Sequence, residues 1–301
     1  MAAYSITKNH STLPLKRISC ADEEQELQQL LEKTPDLLPG EQIQPDDPCR
    51  WLLIRRELPV PDPATGSNRW SIDHVFADQH AIPTLVECKR FLDSRARREV
   101  VGQILEYAAN GPYYWSADEM LQYASQTATR AGQSLEESLT SLDPSVDASP
   151  EEFFSAFVEN LREGRLRLVF FMEQAPAELK SIVEFLNRQM ERSEVLVVEA
   201  RQYELDGRRI VIPSLFGFTE EARRAKRIGG RDPSHRAWDE ESFLASARQV
   251  LSVTGYGAVE RLLRFCRDQQ FEIRWGMGKQ VGSFSVVVSE ISRRASFAVF
   301  T

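Results

Sequence analysis

The stretch Trp70-Ser-Ile-Asp73-His74-Val-Phe-Ala-Asp78-Gln79-His80-Ala-Ile82-Pro-Thr-Leu85-Val86-Glu87-Cys88-Lys89-Arg90 decides how the chain folds. Residues 70–78 and 82–90 are rich in β-branched and aromatic side chains, so each reads as a strand, and Asp78-Gln79-His80 between them is hairpin-sized. Side chains alternate along a strand, which puts Leu85, Glu87 and Lys89 on one face and Val86 and Cys88 on the other. A carboxylate and an ammonium therefore stand together at the end of an apolar run. Asp73, fourteen residues before Glu87, joins them if it faces them across the hairpin. His74 then points to the opposite face, as a core or surface histidine rather than a ligand.

Working outward, residues 22–33 place Leu27, Leu30 and Leu31 at helical spacing with acids early and Pro35 soon after, the pattern of a short amphipathic helix. A strand begins at Trp51-Leu-Leu-Ile54, and Pro59 to Gly66 reads as a loop. After the hairpin, Ser94 to Ala109 is predicted helical, with Val100, Val101, Ile104, Leu105 and Ala108 as its buried stripe. Residues 116–163 are also helical in pattern, broken by the acidic segment Asp143 to Pro150. Leu166 to Phe171 is a strand of the kind covered on both faces. A helix (Ala177 to Arg192) and two strands (Val195 to Ala200, Arg209 to Pro213) follow it. This order of elements indicates an α/β sheet with some parallel pairing. Beyond Gly217 a basic, glycine-containing segment leads to helices at 239–250 and 258–268. Short strands near 271–275, 283–288 and 297–301 complete a small α+β unit. The expected division is 1–218, with a helical insertion at about 116–163, and 219–301. The chain stops inside an apolar strand, so the second domain is expected to be incomplete at its end.

The chain has 301 residues, 42% apolar and 27% charged, which suits a globular protein able to bury a full core. No apolar run is long enough to span a membrane, and the N-terminus lacks the apolar core of a secretory signal, so a cytoplasmic location without membrane contact is expected. Cys20, Cys49, Cys88 and Cys266 are scattered, with no CxxC pair or Cys/His cluster, which argues against structural zinc and disulfides. The net charge of −8 cuts against nucleic-acid binding. The local field matters more than the sum, however. Positive charge gathers in Lys89-Arg90, Arg95, Arg97 and Arg98, and in Arg223-Arg224-Ala-Lys226-Arg227.

The convergence of Asp73, Glu87 and Lys89 has a chemical meaning. Two carboxylates about 4 Å apart repel by roughly 4 kcal/mol at an effective dielectric near 20, so without a cation one of them tends to take up a proton. Mg²⁺ or Mn²⁺ takes hard oxygen ligands and keeps several waters, so two carboxylates and one backbone carbonyl, that of Cys88, form a sufficient site. Such an ion polarises a phosphate and acidifies its bound water, and Lys89 is placed to orient the attacking hydroxide. Taken singly, a Glu-x-Lys on a strand is commonly a surface ion pair, and Asp73 could cap a strand end. The ordered combination is the stronger signal.

That combination resembles the PD-(D/E)xK nuclease superfamily. In the following helix, Gln103-Ile-Leu-Glu-Tyr107 is similar to the Gln-x-x-x-Tyr motif of its RecB-type members, and i, i+4 spacing puts Gln103 and Tyr107 on one helix face. Glu24 to Leu38 resembles the opening helix of the NucS mismatch endonucleases, where a helix-borne glutamate completes the site. Spacing to Pro35 assigns that position to Glu24, with Glu26 as the fallback. The NucS-type pattern Gly-Arg-Ile-Asp is here Trp70-Ser71-Ile72-Asp73, so mismatch specificity does not carry over. The resemblance covers about residues 20–110, and 165–200 more loosely. It implies a restriction-endonuclease-like core, a mixed sheet flanked by helices. It also implies an Mg²⁺- or Mn²⁺-dependent deoxyribonuclease, endonuclease rather than exonuclease. Glu24, Asp73, Glu87, Lys89, Gln103 and Tyr107 would form the catalytic set, and Asp73, Glu87, the Cys88 carbonyl and Glu24 the metal ligands.

DNA is the expected partner, and no residue pattern separates it from RNA. Arg90, Arg95, Arg97, Arg98, Arg223, Arg224, Lys226 and Arg227 are the candidate phosphate contacts, with a solvated helix face as the plain alternative for the first four. The alternative function is a nuclease-fold nucleic-acid-binding or regulatory module without turnover, with the C-terminal domain as the surface for a protein partner or a second copy. Trp275 to Gly282 lacks the Gly-Lys-Ser/Thr of a phosphate loop and reads as a turn. Tyr113-Tyr114-Trp115 could stack bases, though burial is the simpler reading.

Overall fold

Strand β6 (Pro83–Lys89) lies inside a seven-stranded mixed sheet and is flanked on one side by an antiparallel and on the other by a parallel neighbour. The computed structural model describes residues 3–45, 47–61, 68–90, 94–142, 149–217, 238–275, 282–288 and 297–300. The sheet runs β3 (Lys16–Ile18), β8 (Glu194–Leu205), β7 (Arg167–Met172), β6, β5 (Asn68–Ala77), β4 (Leu52–Pro61), and β9 (Arg208–Phe216) pairs with β8. Pairing is parallel for β6–β7–β8 and antiparallel elsewhere. The continuous apolar run in β7 is buried at every position, as a strand covered on both faces requires.

The β5–β6 connection is the turn expected from Asp78-Gln79-His80. Asp78 Oδ1 accepts the backbone N–H groups of His80 at 2.9 Å and Ile82 at 3.0 Å, a side-chain-stabilised reversal. Pro59 and Pro61 belong to β4 rather than to a loop. β4 is the sheet's edge, where a missing N–H interrupts no ladder.

One face of the sheet is covered by the N-terminal segment. A π-helical turn (Glu24–Gln28) runs into α1 (Gln29–Lys33), and α2 (Gly40–Ile43) follows. Leu27, Leu31, Leu38 and Ile43 pack there with Phe76, Val86, Cys88, Val169, Phe171 and Val198. Fully burying a side chain of this size stabilises by roughly 1.5–3 kcal/mol. Among the other helices, α3 (Ser94–Tyr114) packs on β4 and β6, α4 (Ala117–Arg130) on β4, α6 (Pro150–Arg162) on β6, and α7 (Ala177–Gln189) on β8, with α5 (Leu135–Leu142) between α4 and α6 in the chain. α3 outruns its predicted end and takes Pro112 into its last turn. Three short strands were not legible in the pattern: β3, and the separate hairpin of β1 (Tyr4–Ile6) and β2 (Thr12–Pro14).

The chain divides into two compact units, Met1–Leu135 with Pro150–Gly229, and Glu136–Ser149 with Gly230–Thr301. Within the second, α8 (Glu240–Val250) and α9 (Val253–Asp268) share a core with an antiparallel sheet of β10 (Glu272–Trp275), β11 (Ser283–Val287) and β12 (Phe297–Phe300). Phe243, Leu263, Cys266, Phe284 and Val286 are its buried centre. Ser252 caps α9 by accepting the Gly255 N–H, so this helix begins five residues earlier than the apolar spacing indicated. No described helix is long and apolar enough to cross a membrane.

Candidate active site

The paired ladder between β5 and β6 covers His74↔Val86 to Ala77↔Pro83 and then stops. Continued by one step, that register sets Asp73 opposite Glu87. Where the ladder ends, the side chain of Asp73 takes over as acceptor: Cys88 N–H donates to its Oδ2 at 2.7 Å. The other oxygen, Oδ1, accepts from Gln28 Nε2 at 2.8 Å. Glu87, 3% exposed, receives Lys89 Nζ on Oε1 at 3.2 Å, while its Oε2 is buried with no hydrogen-bond partner. The sequence thus brings Asp73, Glu87 and Lys89 together at the end of two neighbouring strands.

The helix-borne glutamate that reaches this group is Glu23. It meets Lys89 Nζ at 3.3 Å and accepts the Arg90 N–H at 2.7 Å. Glu24 turns instead to Arg56, 3.0 Å away, and Glu26 to Arg209 at 2.8 Å and the Ala21 N–H at 2.6 Å. The resemblance assigns the position to Glu24 by its spacing to Pro35; in the structure Glu23, just ahead of the π-helical turn, is the residue that meets Lys89. Tyr107 is buried on α3 close enough for the charges of Glu87 and Asp73 to act on it. Gln103, half-buried one turn earlier, has the same side of the helix. Arg90 is exposed and donates to the Ala21 carbonyl at 2.7 Å. The side chains of Arg95, Arg97 and Arg98, and all of Arg223, Arg224, Lys226 and Arg227, lie outside the described residues.

Electrostatics follow from burial and crowding. Burial pushes Asp73 up to about 6 against the pull of Lys89 and the Cys88 N–H. Burial and then the charge of Asp73 push Glu87 up to about 7, again against Lys89. Both Asp73 oxygens already accept N–H bonds, whereas Glu87 Oε2 accepts none. A proton shared by the pair therefore resides on Glu87. Burial alone would depress Lys89, but Glu87, Asp73 and Glu23 together outweigh it and hold the ammonium above its usual range. Lys89 in this arrangement is a fixed positive charge and a donor, not a base. Burial, with the two carboxylates, also raises the Tyr107 phenol.

His74 backs the site from the opposite face. It is fully buried, and its Nε2–H donates to the Gln28 carbonyl at 3.0 Å. That fixes Nδ1 as an acceptor 3.8 Å from the Cys88 thiol. Burial drops this imidazole to about 3, so it is neutral, as a core histidine should be. Opposite Asp73 on its other side lies Glu57, bracketed by the pairs Arg56↔His74 and Leu58↔Ile72. Glu57 is exposed, takes a positive φ of 52°, and adds negative charge near Asp73.

Among the described residues no three His, Cys, Asp or Glu side chains are grouped so as to hold a metal. A cation here would rest on Asp73, Glu87 and the Cys88 carbonyl, with water completing its shell, a set of hard oxygens suited to Mg²⁺ or Mn²⁺. The unpartnered Glu87 oxygen fits that use.

Fold and site together define a mixed α/β protein with an acidic, lysine-bearing cluster at the end of its central strands. In comparisons with protein-family models, curated proteins and solved structures, none matches the chain.

Proposed function

We propose that the chain is a divalent-metal-dependent nuclease of the PD-(D/E)xK type with a restriction-endonuclease-like core, hydrolysing phosphodiester bonds in DNA. One observation carries the reading. Asp73 and Glu87 lie one step beyond the last β5–β6 pair, with the Lys89 ammonium 3.2 Å from Glu87, while a buried Glu87 oxygen lacks any partner. Uncompensated buried acid of this kind is costly for stability and belongs to sites that bind cations or do acid–base chemistry.

Asp73, Glu87 and the Cys88 carbonyl are the groups to hold Mg²⁺ or Mn²⁺. When bound, such an ion supplies Lewis acidity to a phosphate and lowers the pKa of its water. Asp73 is held rigid by two N–H donors. Lys89 offsets charge accumulating on the phosphate and orients the attacking oxygen by donation. Tyr107, with Gln103 one turn earlier on the same side of α3, lies close enough to the carboxylates to feel their charge. The test is cleavage of single-stranded, duplex and branched DNA, and of RNA, with Mg²⁺ or Mn²⁺. Asp73→Ala and Lys89→Ala should each lose at least about 100-fold in rate. Equal rates in wild type and both variants would end the assignment.

A second reading, a nuclease-fold module that binds nucleic acid or regulates without turnover, draws on the same cluster. Lys89 is held by Glu23 as well as Glu87, which occupies the ammonium in the resting protein. Calorimetric titration with Mn²⁺ separates the two: no binding at millimolar ion favours the module.

A further inference from the structure

The side chain of Gln28 joins the buried aspartate to the helical layer, and it does so with a fixed orientation. Its Nε2 donates to Asp73 Oδ1 at 2.8 Å, and its Oε1 accepts from Arg56 at 3.1 Å. An amide can ordinarily flip end for end, but guanidinium has only donors. With Arg56 on one side, the oxygen of Gln28 must face the arginine and the NH₂ must face Asp73. Arg56 is itself braced by Glu24 at 3.0 Å and Glu32 at 3.3 Å. The Gln28 backbone is held too, since its carbonyl accepts from His74. The π-helical turn ends at Gln28 and turns this residue onto the sheet.

We propose that Gln28 is a positioning residue of the candidate site: oriented by Arg56, its amide fixes the Asp73 carboxylate against the Cys88 N–H. This assignment rests on the nuclease reading for its purpose, but not for its geometry. Asp73 sits one step beyond the end of the β5–β6 ladder, so on that side no backbone pair flanks it. Two donors restrain it instead, one from β6 and one from Gln28. With both in place the carboxylate presents its remaining lone pairs in a single direction, the preorganisation a cation ligand needs. Without Gln28 the carboxylate is free to rotate about its side-chain bonds, and the Cys88 N–H loses a constant acceptor.

The test uses hydrogen exchange of single amides in the metal-free full chain, followed by Mn²⁺ titration. In Gln28→Ala the Cys88 amide should exchange about 10- to 100-fold faster, the range expected for loss of a hydrogen bond to a charged group. The Val86 amide, two residues back on the same strand, should be unchanged. Arg56→Met should act in the same direction with a smaller factor, because the amide is then free to flip. Unchanged Cys88 exchange in Gln28→Ala overturns the proposal, and so does equal acceleration at Cys88 and Val86, which marks general loosening. If Cys88 responds alone but wild type binds no Mn²⁺, the positioning stands and the nuclease reading falls. If wild type binds Mn²⁺ and Gln28→Ala binds at least tenfold more weakly, both stand.

Discussion

Glu87 and Lys89 meet at 3.2 Å on one face of β6, and the carboxylate oxygen turned away from the lysine is buried with nothing to accept from. The pair is incomplete as a salt bridge, and its cost depends on pH.

A carboxyl whose folded pKa is raised holds its proton more tightly in the folded chain. For Glu87, raised to about 7, stability is therefore gained as pH falls from about 7 toward the ordinary carboxyl range, and that gain is absent above 7. One pH unit of displacement is worth about 1.4 kcal/mol, so ionised Glu87 weighs against folding by on the order of 3 kcal/mol. Glu87→Gln should match wild type near pH 5 and exceed it by roughly 2 kcal/mol at pH 8 in urea melts. A difference independent of pH would contradict this.

His74 has the opposite sign. Its folded value is depressed to about 3, so below about pH 6.5 the unfolded chain binds a proton that the folded chain refuses, and stability is lost as pH falls. His74→Leu removes the bond to the Gln28 carbonyl from a fully buried position and should cost about 1–3 kcal/mol at pH 7. That deficit should shrink steadily toward pH 4.

At the other end of β6, Arg167 pairs with fully buried Asp78 at 2.6 Å and with Glu194 at 2.9 Å. Arg167→Met leaves Asp78 charged and unmatched, at an expected cost of about 3–5 kcal/mol. Adding Asp78→Asn should recover most of it, because the amide oxygen can still serve the turn N–H groups. Thermal melts of the single and double variants check this, and additive losses would argue against the pairing.

Two glycines differ in what surrounds them. A Cβ on Gly40 would lie 2.0 Å from the Cys49 carbonyl oxygen, so Gly40→Ala should destabilise by about 1–3 kcal/mol. Nothing lies within 4 Å of the same position on Gly102 in α3. Gly102→Ala should therefore stabilise by about 0.5–1 kcal/mol through helix propensity. Matching shifts in the two melting curves would be inconsistent with this packing.

The hairpin of β5 and β6 was legible because period-two alternation and an Asp-led turn both pointed the same way. β7 announced itself by continuous apolar residues. Arg56 and Glu57 carry no mark in the sequence of a place beside Asp73, because the prolines from Pro59 onward read as a loop although β4 continues to Pro61. An edge strand can carry prolines, so composition misjudged its length. Gln28 offered no signal, since one of three glutamines among the leucines of residues 25–31 looks like a helix flank. The spacing to Pro35 points to Glu24, whereas Glu23 is the residue that meets Lys89 and Glu24 pairs with Arg56 across a π-helical turn that leaves no mark in the sequence. Local patterns thus specified the strands that carry Asp73 and Glu87, whereas the groups that orient them come from backbone irregularities that sequence periodicity averages away.

The contact between Glu23 and Lys89 spans 66 residues of chain, and Cys20 N–H is tied to Glu173 on the strand-end side of β7. The beginning of the polypeptide is thereby a separable half of the site, joined to the rest by side-chain bonds and apolar packing rather than by sequence proximity. Such a division lends itself to fragment complementation: a peptide carrying the first helical layer, added to the remaining chain, could restore the cluster without a covalent link.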